Sequence, residues 1–232
     1  MRTDSEIIQG FKAGLPIALG YFPIAIAFGA LAAQAQLSWY EGTLMSIIVY
    51  AGASQFVGVS MLLAGAGSMQ IITTTLFLNM RHLIMSLAVN DRMRDFPQSW
   101  KNLLSFGITD ETFALLTLGT AGEDQGDDLT PLFMAGLTGT AYLSWVIGTA
   151  VGGLGANLIP VNITTAMTVG LYGLFIGLLV PPARKSISYA VIALVSMALN
   201  SLLGLFLDSG WAIVLAAVVA AGLGIFLIRE EV

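Results

Sequence analysis

Apolar runs of about twenty residues recur along this chain from Gly14 almost to Ile228, interrupted only by Gly, Pro, Asn or charge. Of its 232 residues 56% are apolar and 10% charged, against roughly a quarter charged in soluble domains. In hydrocarbon every backbone N–H and C=O must be satisfied within the protein, so such runs fold as helices. A membrane barrel would show segments of about ten residues with alternating polarity instead. The chain is therefore expected to be all-α, a polytopic transmembrane helical bundle of about seven or eight hydrophobic segments. It reads as one membrane domain over 1–232, with 1–12 as an amphipathic lead-in carrying Ile7, Ile8 and Phe11 on one face. The expected location is the cell inner (plasma) membrane, crossed several times, with the lipid bilayer as the first partner.

What the chain lacks narrows its chemistry. Net charge is −5, so no basic surface invites nucleic acid. With no Cys and one His there is no thiolate chemistry and no convincing metal or nucleophile constellation. No GxxxxGK[ST] signature supplies an ATP motor. No cofactor and no enzyme activity are expected. Met1–Lys12 mixes both charge signs and does not read as a cleaved signal peptide.

Candidate segments lie at 13–36, 43–63, 69–89, 103–120, 131–153, 161–180, 186–206 and 210–228. Of Trp39, Tyr40, Trp100, Trp145 and Trp211, four lie near predicted segment ends, where interfacial aromatics gather. Arg2 and Lys12 place the N-terminus in the cytoplasm; Arg92, Arg94 and Lys101 argue the same for loop 90–102, and Arg184 and Lys185 for theirs. The acidic loop 123–128 has no Lys or Arg and reads as external. Eight full crossings would put loop 90–102 outside. The conflict disappears only if one segment in 43–89 and one in 131–180 fail to cross, as broken or re-entrant segments do in transporters. An echo at a separation of about 122 residues, Ala13-Gly14-Leu15 with Ala135-Gly136-Leu137 and Gly29-Ala30-Leu31 with Gly152-Gly153-Leu154, suggests an internal duplication.

Charges placed inside apolar segments carry the functional signal. A charged side chain at a bilayer centre costs roughly 2.5–3.5 kcal/mol, so it is kept for a pathway or a partner. Segment 69–89 holds Asn79, Arg81 and His82 close to its midpoint. Arg81 suits a carboxylate anchor or an ion-pair partner, and His82 a proton relay, its ordinary pKa lying near physiological pH. The plainer reading ends the helix near Met80 and lets Arg81 snorkel to the interface. Segment 103–120 carries Thr109-Asp110-Glu111-Thr112, which either needs Arg81 or a substrate ammonium, or caps a shorter helix with Asp110 at the N-cap. Tyr50-Ala51-Gly52-Ala53-Ser54-Gln55-Phe56 is either an unwound stretch near the midplane or small-residue helix packing. Gly20-Tyr21-Phe22-Pro23 frees a carbonyl at a proline kink, which places Tyr21 among the candidates. Gly148/Gly152 and Gly173/Gly177 fit GxxxG, as internal contacts or as faces for a partner helix.

On these residues the chain resembles the AzlC family, the large subunits of two-component branched-chain amino-acid exporters. The resemblance runs from Gly10 to about Leu227 and rests on Gly14-x-Pro16, Gly20-Tyr21-x-Pro23, Phe28-Gly29, Tyr50 to Phe56, Asn79-x-Arg81-His82 and Thr109-Asp110-Glu111. It implies export of leucine, isoleucine, valine or analogues together with a separate small membrane subunit of the AzlD type. Chemistry points the same way, because a zwitterion needs both signs and an aliphatic pocket, for which Phe28, Phe56, Met61 and Met85 are candidates. The expected activity is secondary active export of a branched-chain amino-acid substrate, coupled to proton exchange. The expected substrate and proton pathway is Tyr21, Ser54, Gln55, Asn79, Arg81, His82, Asp110 and Glu111. The alternative is a channel or passive facilitator for small polar solutes.

Overall fold

The computed structural model describes residues 2–119, 129–158, 162, 169, 173, 176–177, 179–180, 183–184, 186–207 and 209–229. Among them all regular structure is helical. Three helices are long and apolar enough to cross a bilayer: α1 (Arg2–Gln34), α4 (Ser68–Asn90) and α7 (Pro131–Leu154). Between α1 and α4 lie α2 (Trp39–Ile48) and α3 (Gly52–Leu63); between α4 and α7 lie α5 (Gln98–Ser105) and α6 (Asp110–Ala114). The pair α8 (Ile187–Leu203) and α9 (Ser209–Arg229) closes the described chain. The protein is thus an all-α membrane protein with several segments too short to span.

The centre is the pair α1 and α7, which pack along their lengths more extensively than any other two elements. α1 runs unbroken through Pro16 and Pro23, and the amphipathic lead-in forms its first turns rather than a separate helix. Small residues let the two backbones touch. A Cβ at Gly10 would fall on the carbonyl of Phe133, one at Gly29 on that of Thr149, and one at Gly152 on that of Ile26. These contacts advance together from Gly10 with Phe133 to Gly29 with Gly153, so the helices are parallel. Two consequences follow. The triplets that echo each other in sequence face each other here, because close approach demands small residues on both helices. And Gly148 and Gly152, candidates for a partner face, are taken by Phe22, Ala25 and Ile26 of α1.

α4 runs the other way. Its last turns, Met85 and Val89, share an apolar cluster with Met134 and Leu137 from the start of α7, and Met93, Phe96, Leu104 and Ile108 complete it. α9 starts where α4 starts, with Gly210 against Thr74 and Gln70, and Gly224 lies against Ile192 of α8, so α8 and α9 are antiparallel.

The segment expected at 43–63 is broken. With 10 and 12 residues, α2 and α3 are about 15 and 18 Å long, each roughly half a hydrocarbon core. α2 starts beside the end of α7, where a Cβ on Gly153 would meet Trp39, and descends until the Ile47 carbonyl accepts the Tyr142 hydroxyl at 3.0 Å. The chain turns at Val49–Ala51, with Tyr50 in the left-handed region at φ +42°, and α3 climbs back. Gln36 and Gly65, also at positive φ, end α1 and α3 in Schellman turns: Leu37 N–H donates to Ala32 and Ala66 N–H to Met61, both at 3.0 Å.

The segment expected at 103–120 is broken too, into α5, a turn at Phe106–Thr109, the five-residue α6 and a π turn over Leu115–Gly119. This hairpin enters from the opposite end. Phe106 reaches the mid-height Tyr142 ring at 5.8 Å, and the Leu116 carbonyl returns to accept Arg92 Nη1 at 2.8 Å. The N-cap of α6 is Thr109, one residue earlier than Asp110.

α2 with α3 does not cross, so α4 returns the chain to the side where α1 began. The segments that fail to span are 43–63, as expected, and 103–120; in the stretch 131–180, where the second failure was expected, α7 is long enough to cross. The acidic loop 123–128 and most of segment 161–180 lie outside the described residues. The flanks of the loop do not: Leu116 bonds Arg92, and Leu129 packs on the cluster of Met93 and Phe96. Both belong to the basic end; the loop itself, expected to be external, lies outside the described residues.

Candidate functional site

The two half-length hairpins meet at mid-height beside α1, α4 and α7. Between them lies a small cleft. α1 contributes Tyr21 and Ile24, the turn and first residues of α3 contribute Tyr50 to Ala53, and α4 contributes Arg81 and His82. Thr109, Asp110 and Glu111 at the start of α6 and Trp145 of α7 complete the wall.

Arg81 does not snorkel. Its Nη1 lies 2.6 Å from Asp110 Oδ2, and the two side chains are only 32% and 22% exposed. α4 continues for nine residues beyond Arg81, as Asn90 marks its end. The neighbouring carboxylate is held differently: Glu111 Oε2 accepts the Tyr21 hydroxyl, which also lies 2.8 Å from Thr109 Oγ1. Thr109 and Thr112 close a capping box, Thr112 Oγ1 accepting Thr109 N–H at 2.7 Å, so the short helix is anchored with both acids in its first turn. Adjacent carboxylates therefore have unlike partners, one an arginine and the other a tyrosine.

Five of the eight residues expected on the pathway, Tyr21, Arg81, His82, Asp110 and Glu111, line this cleft. Ser54, Gln55 and Asn79 do not. They border a second, larger and largely apolar groove between α2, α3 and α4. Gln55 is fully buried in a closed network. Its Oε1 accepts Trp145 Nε1 at 3.1 Å and Ala51 N–H at 3.3 Å, and its Nε2 donates to Ser46 Oγ at 2.9 Å. Ser46 and Thr149 hydroxyls pair at 2.8 Å. This network fastens the α2–α3 hairpin to α7. Ser54 Oγ donates to the Ala51 carbonyl at 2.9 Å and so stabilises the same turn.

The aliphatic pocket also lies elsewhere than expected. Phe28 and Phe56 pack edge to face behind the cleft, Met85 belongs to the apolar cluster of the basic end, and Met61 lies against Gly210. Ile24 and Trp145 form the apolar wall instead. Trp145, in the middle of the segment expected at 131–153, is buried at mid-height, with its ring 5.3 Å from that of Tyr21. Tyr50, Thr109 and Trp145 were absent from the expected set. Tyr50 heads the quoted Tyr50–Phe56 motif, and its aromatic ring in a Gly/Ala-rich stretch was the available signal.

Half-length helices that pair up from opposite ends around a charged pocket define a class: helical membrane proteins that handle a polar solute within the bilayer. The chain belongs to the AzlC family, whose description, AzlC protein, matches residues 16–159. It is 31% identical over 194 residues to the inner membrane protein YgaZ of Escherichia coli, covering 82% of this chain and 78% of that one. An uncharacterized membrane protein of Archaeoglobus fulgidus is 31% identical over 200 residues, covering 83% and 85%. The branched-chain amino acid transport protein AzlC of Bacillus subtilis is 29% identical over 182 residues, covering 76% and 69%. No solved structure matches the chain.

Proposed function

We propose that this protein is a secondary active exporter of branched-chain amino acids, leucine, isoleucine, valine or analogues, coupled to proton exchange and working with a small AzlD-type membrane subunit. The observation that carries the reading is the mid-height cleft, which holds a cation, two differently partnered carboxylates and an apolar wall between two broken segments. A zwitterion with a branched side chain offers the matching groups. The name of the Bacillus subtilis relative supports the substrate class. Within the cleft, Arg81 with Asp110 fixes the half-hairpin of α6 against α4, while Tyr21, Glu111 and His82 border the substrate and proton path. For the second subunit, Gly173 and Gly177 are small positions where, among the described residues, nothing lies within 4 Å of an added Cβ.

Inverted vesicles containing this chain, with and without the small subunit, should accumulate labelled leucine when an inward-acid proton gradient is imposed, and more strongly when both chains are present. Counterflow should accompany it, since a carrier that alternates between sides exchanges substrate and a pore does not. Leucine flux without trans-stimulation would make the protein a passive facilitator instead.

A further inference from the structure

We infer that an α-amino acid sits in the cleft with its carboxylate on the N-terminal turn of α3, beside the Tyr50 hydroxyl, and its ammonium on the Glu111 carboxylate. The inference rests on the amino-acid reading above and assigns the polarity of the bound substrate. The charge of Arg81, the obvious carboxylate anchor, is already answered by Asp110 at 2.6 Å.

α3 is the better receptor. It is twelve residues long, and its N-cap is Ala51, which has no side chain able to cap it. The first N–H groups of a helix have no intrahelical partner and carry the positive end of its dipole. Gly52 and Ala53, the first two residues of α3, stand on the wall of the cleft. Gly52 is also where a side chain is excluded, because a Cβ there would press on the Trp145 ring at 2.7 Å. The Trp145 ring is therefore packed directly on the backbone at Gly52.

A second observation is independent of the helix end. Tyr50 lines the same cleft, is only 3% exposed, and its hydroxyl is buried with no hydrogen-bond partner. Its backbone is held at φ +42°, in the left-handed region. A buried hydroxyl left unsatisfied beside bare N–H groups is a donor awaiting an acceptor. On the other side, Glu111 has no Lys or Arg within ion-pair distance among the described residues. Its carboxylate, held in place by Tyr21, is the acceptor that an ammonium requires.

Direct binding to the purified full-length chain separates the two ends. The probes are leucine, 4-methylpentanoate, which lacks the ammonium, and leucinamide, which lacks the carboxylate. Tyr50→Phe should weaken leucine and 4-methylpentanoate about tenfold, the worth of one hydrogen bond to a charged group, and leave leucinamide unchanged. Glu111→Gln should weaken leucine and leucinamide by a similar factor and leave 4-methylpentanoate unchanged. The opposite pattern, or equal effects on all three probes, overturns the polarity while leaving the amino-acid reading intact. Wild-type protein that binds none of the three overturns both.

Discussion

At the scale of single residues, the decisive event is the pairing of Arg81 with Asp110. Each charge alone would be costly at this depth, and together they hold a five-residue helix against the middle of α4. Removing one partner of a fully buried pair costs about 3–5 kcal/mol because the other is left uncompensated. With the side chains 32% and 22% exposed, solvent reduces that to about 1–2 kcal/mol. Arg81→Met and Asp110→Asn should each lower the unfolding temperature in detergent, and the double variant should lose less than the sum of the two. Losses that simply add would show that the pair is not coupled. Arg81→Met should also abolish leucine efflux from a protein that still inserts.

At the scale of elements, the parallel pair α1 and α7 depends on bare backbone. Gly152→Leu drives a side chain into the Ile26 carbonyl and should destabilise the protein by about 3 kcal/mol, the upper range for overpacking. Gly20→Ala is the control. Nothing lies within 4 Å of a Cβ at Gly20, in the interior of α1, so it should change stability by no more than about 1 kcal/mol and in the favourable direction. Thermal unfolding followed by size-exclusion chromatography would distinguish them, and equal behaviour of the two variants would refute the contact. The α2–α3 hairpin is held differently, by hydrogen bonds rather than close approach. Gln55, Ser46, Thr149 and Trp145 satisfy one another away from lipid, where polar groups have no other partner.

At the scale of the whole molecule, the cations sort by end. Arg92, Arg94 and Lys101 lie at the end where α1, α7 and α8 start and α9 ends. By the bias of Lys and Arg toward cytoplasmic loops, we propose that this end faces the cytoplasm. The chain contains no Cys, so single-cysteine variants report cleanly. Arg94→Cys should react with a membrane-impermeant thiol reagent only after the membrane is opened, whereas Gly67→Cys, at the start of α4, should react in intact cells. Labelling of both positions from one side would mean that α4 does not cross.

Much of this was legible in the sequence, for identifiable reasons. Apolar runs without charge dictate helices in lipid whatever they pack against, so the all-α membrane class followed from composition and run length. Arg81 and Asp110–Glu111 stood out because isolated charges in hydrocarbon are expensive, which also foretold their pairing. The conflict between loop charges and eight crossings signalled a segment that turns back. What the linear pattern could not reveal was which residues share a height. Gln55 and Asn79 looked like pathway residues, yet helical rotation turns them away from the cleft. Trp145 carried no sign in the sequence that the packing of α7 against α1 would bury it beside the cleft. Hydropathy also cannot tell one span of twenty residues from two half-helices meeting at a turn, because burial against α7 satisfies the broken backbone as well as a continuous helix would. Membrane solvation fixed the class of structure in advance; only the tertiary contacts of α1, α4 and α7 decided where the two hairpins meet and which side chains face the space between them.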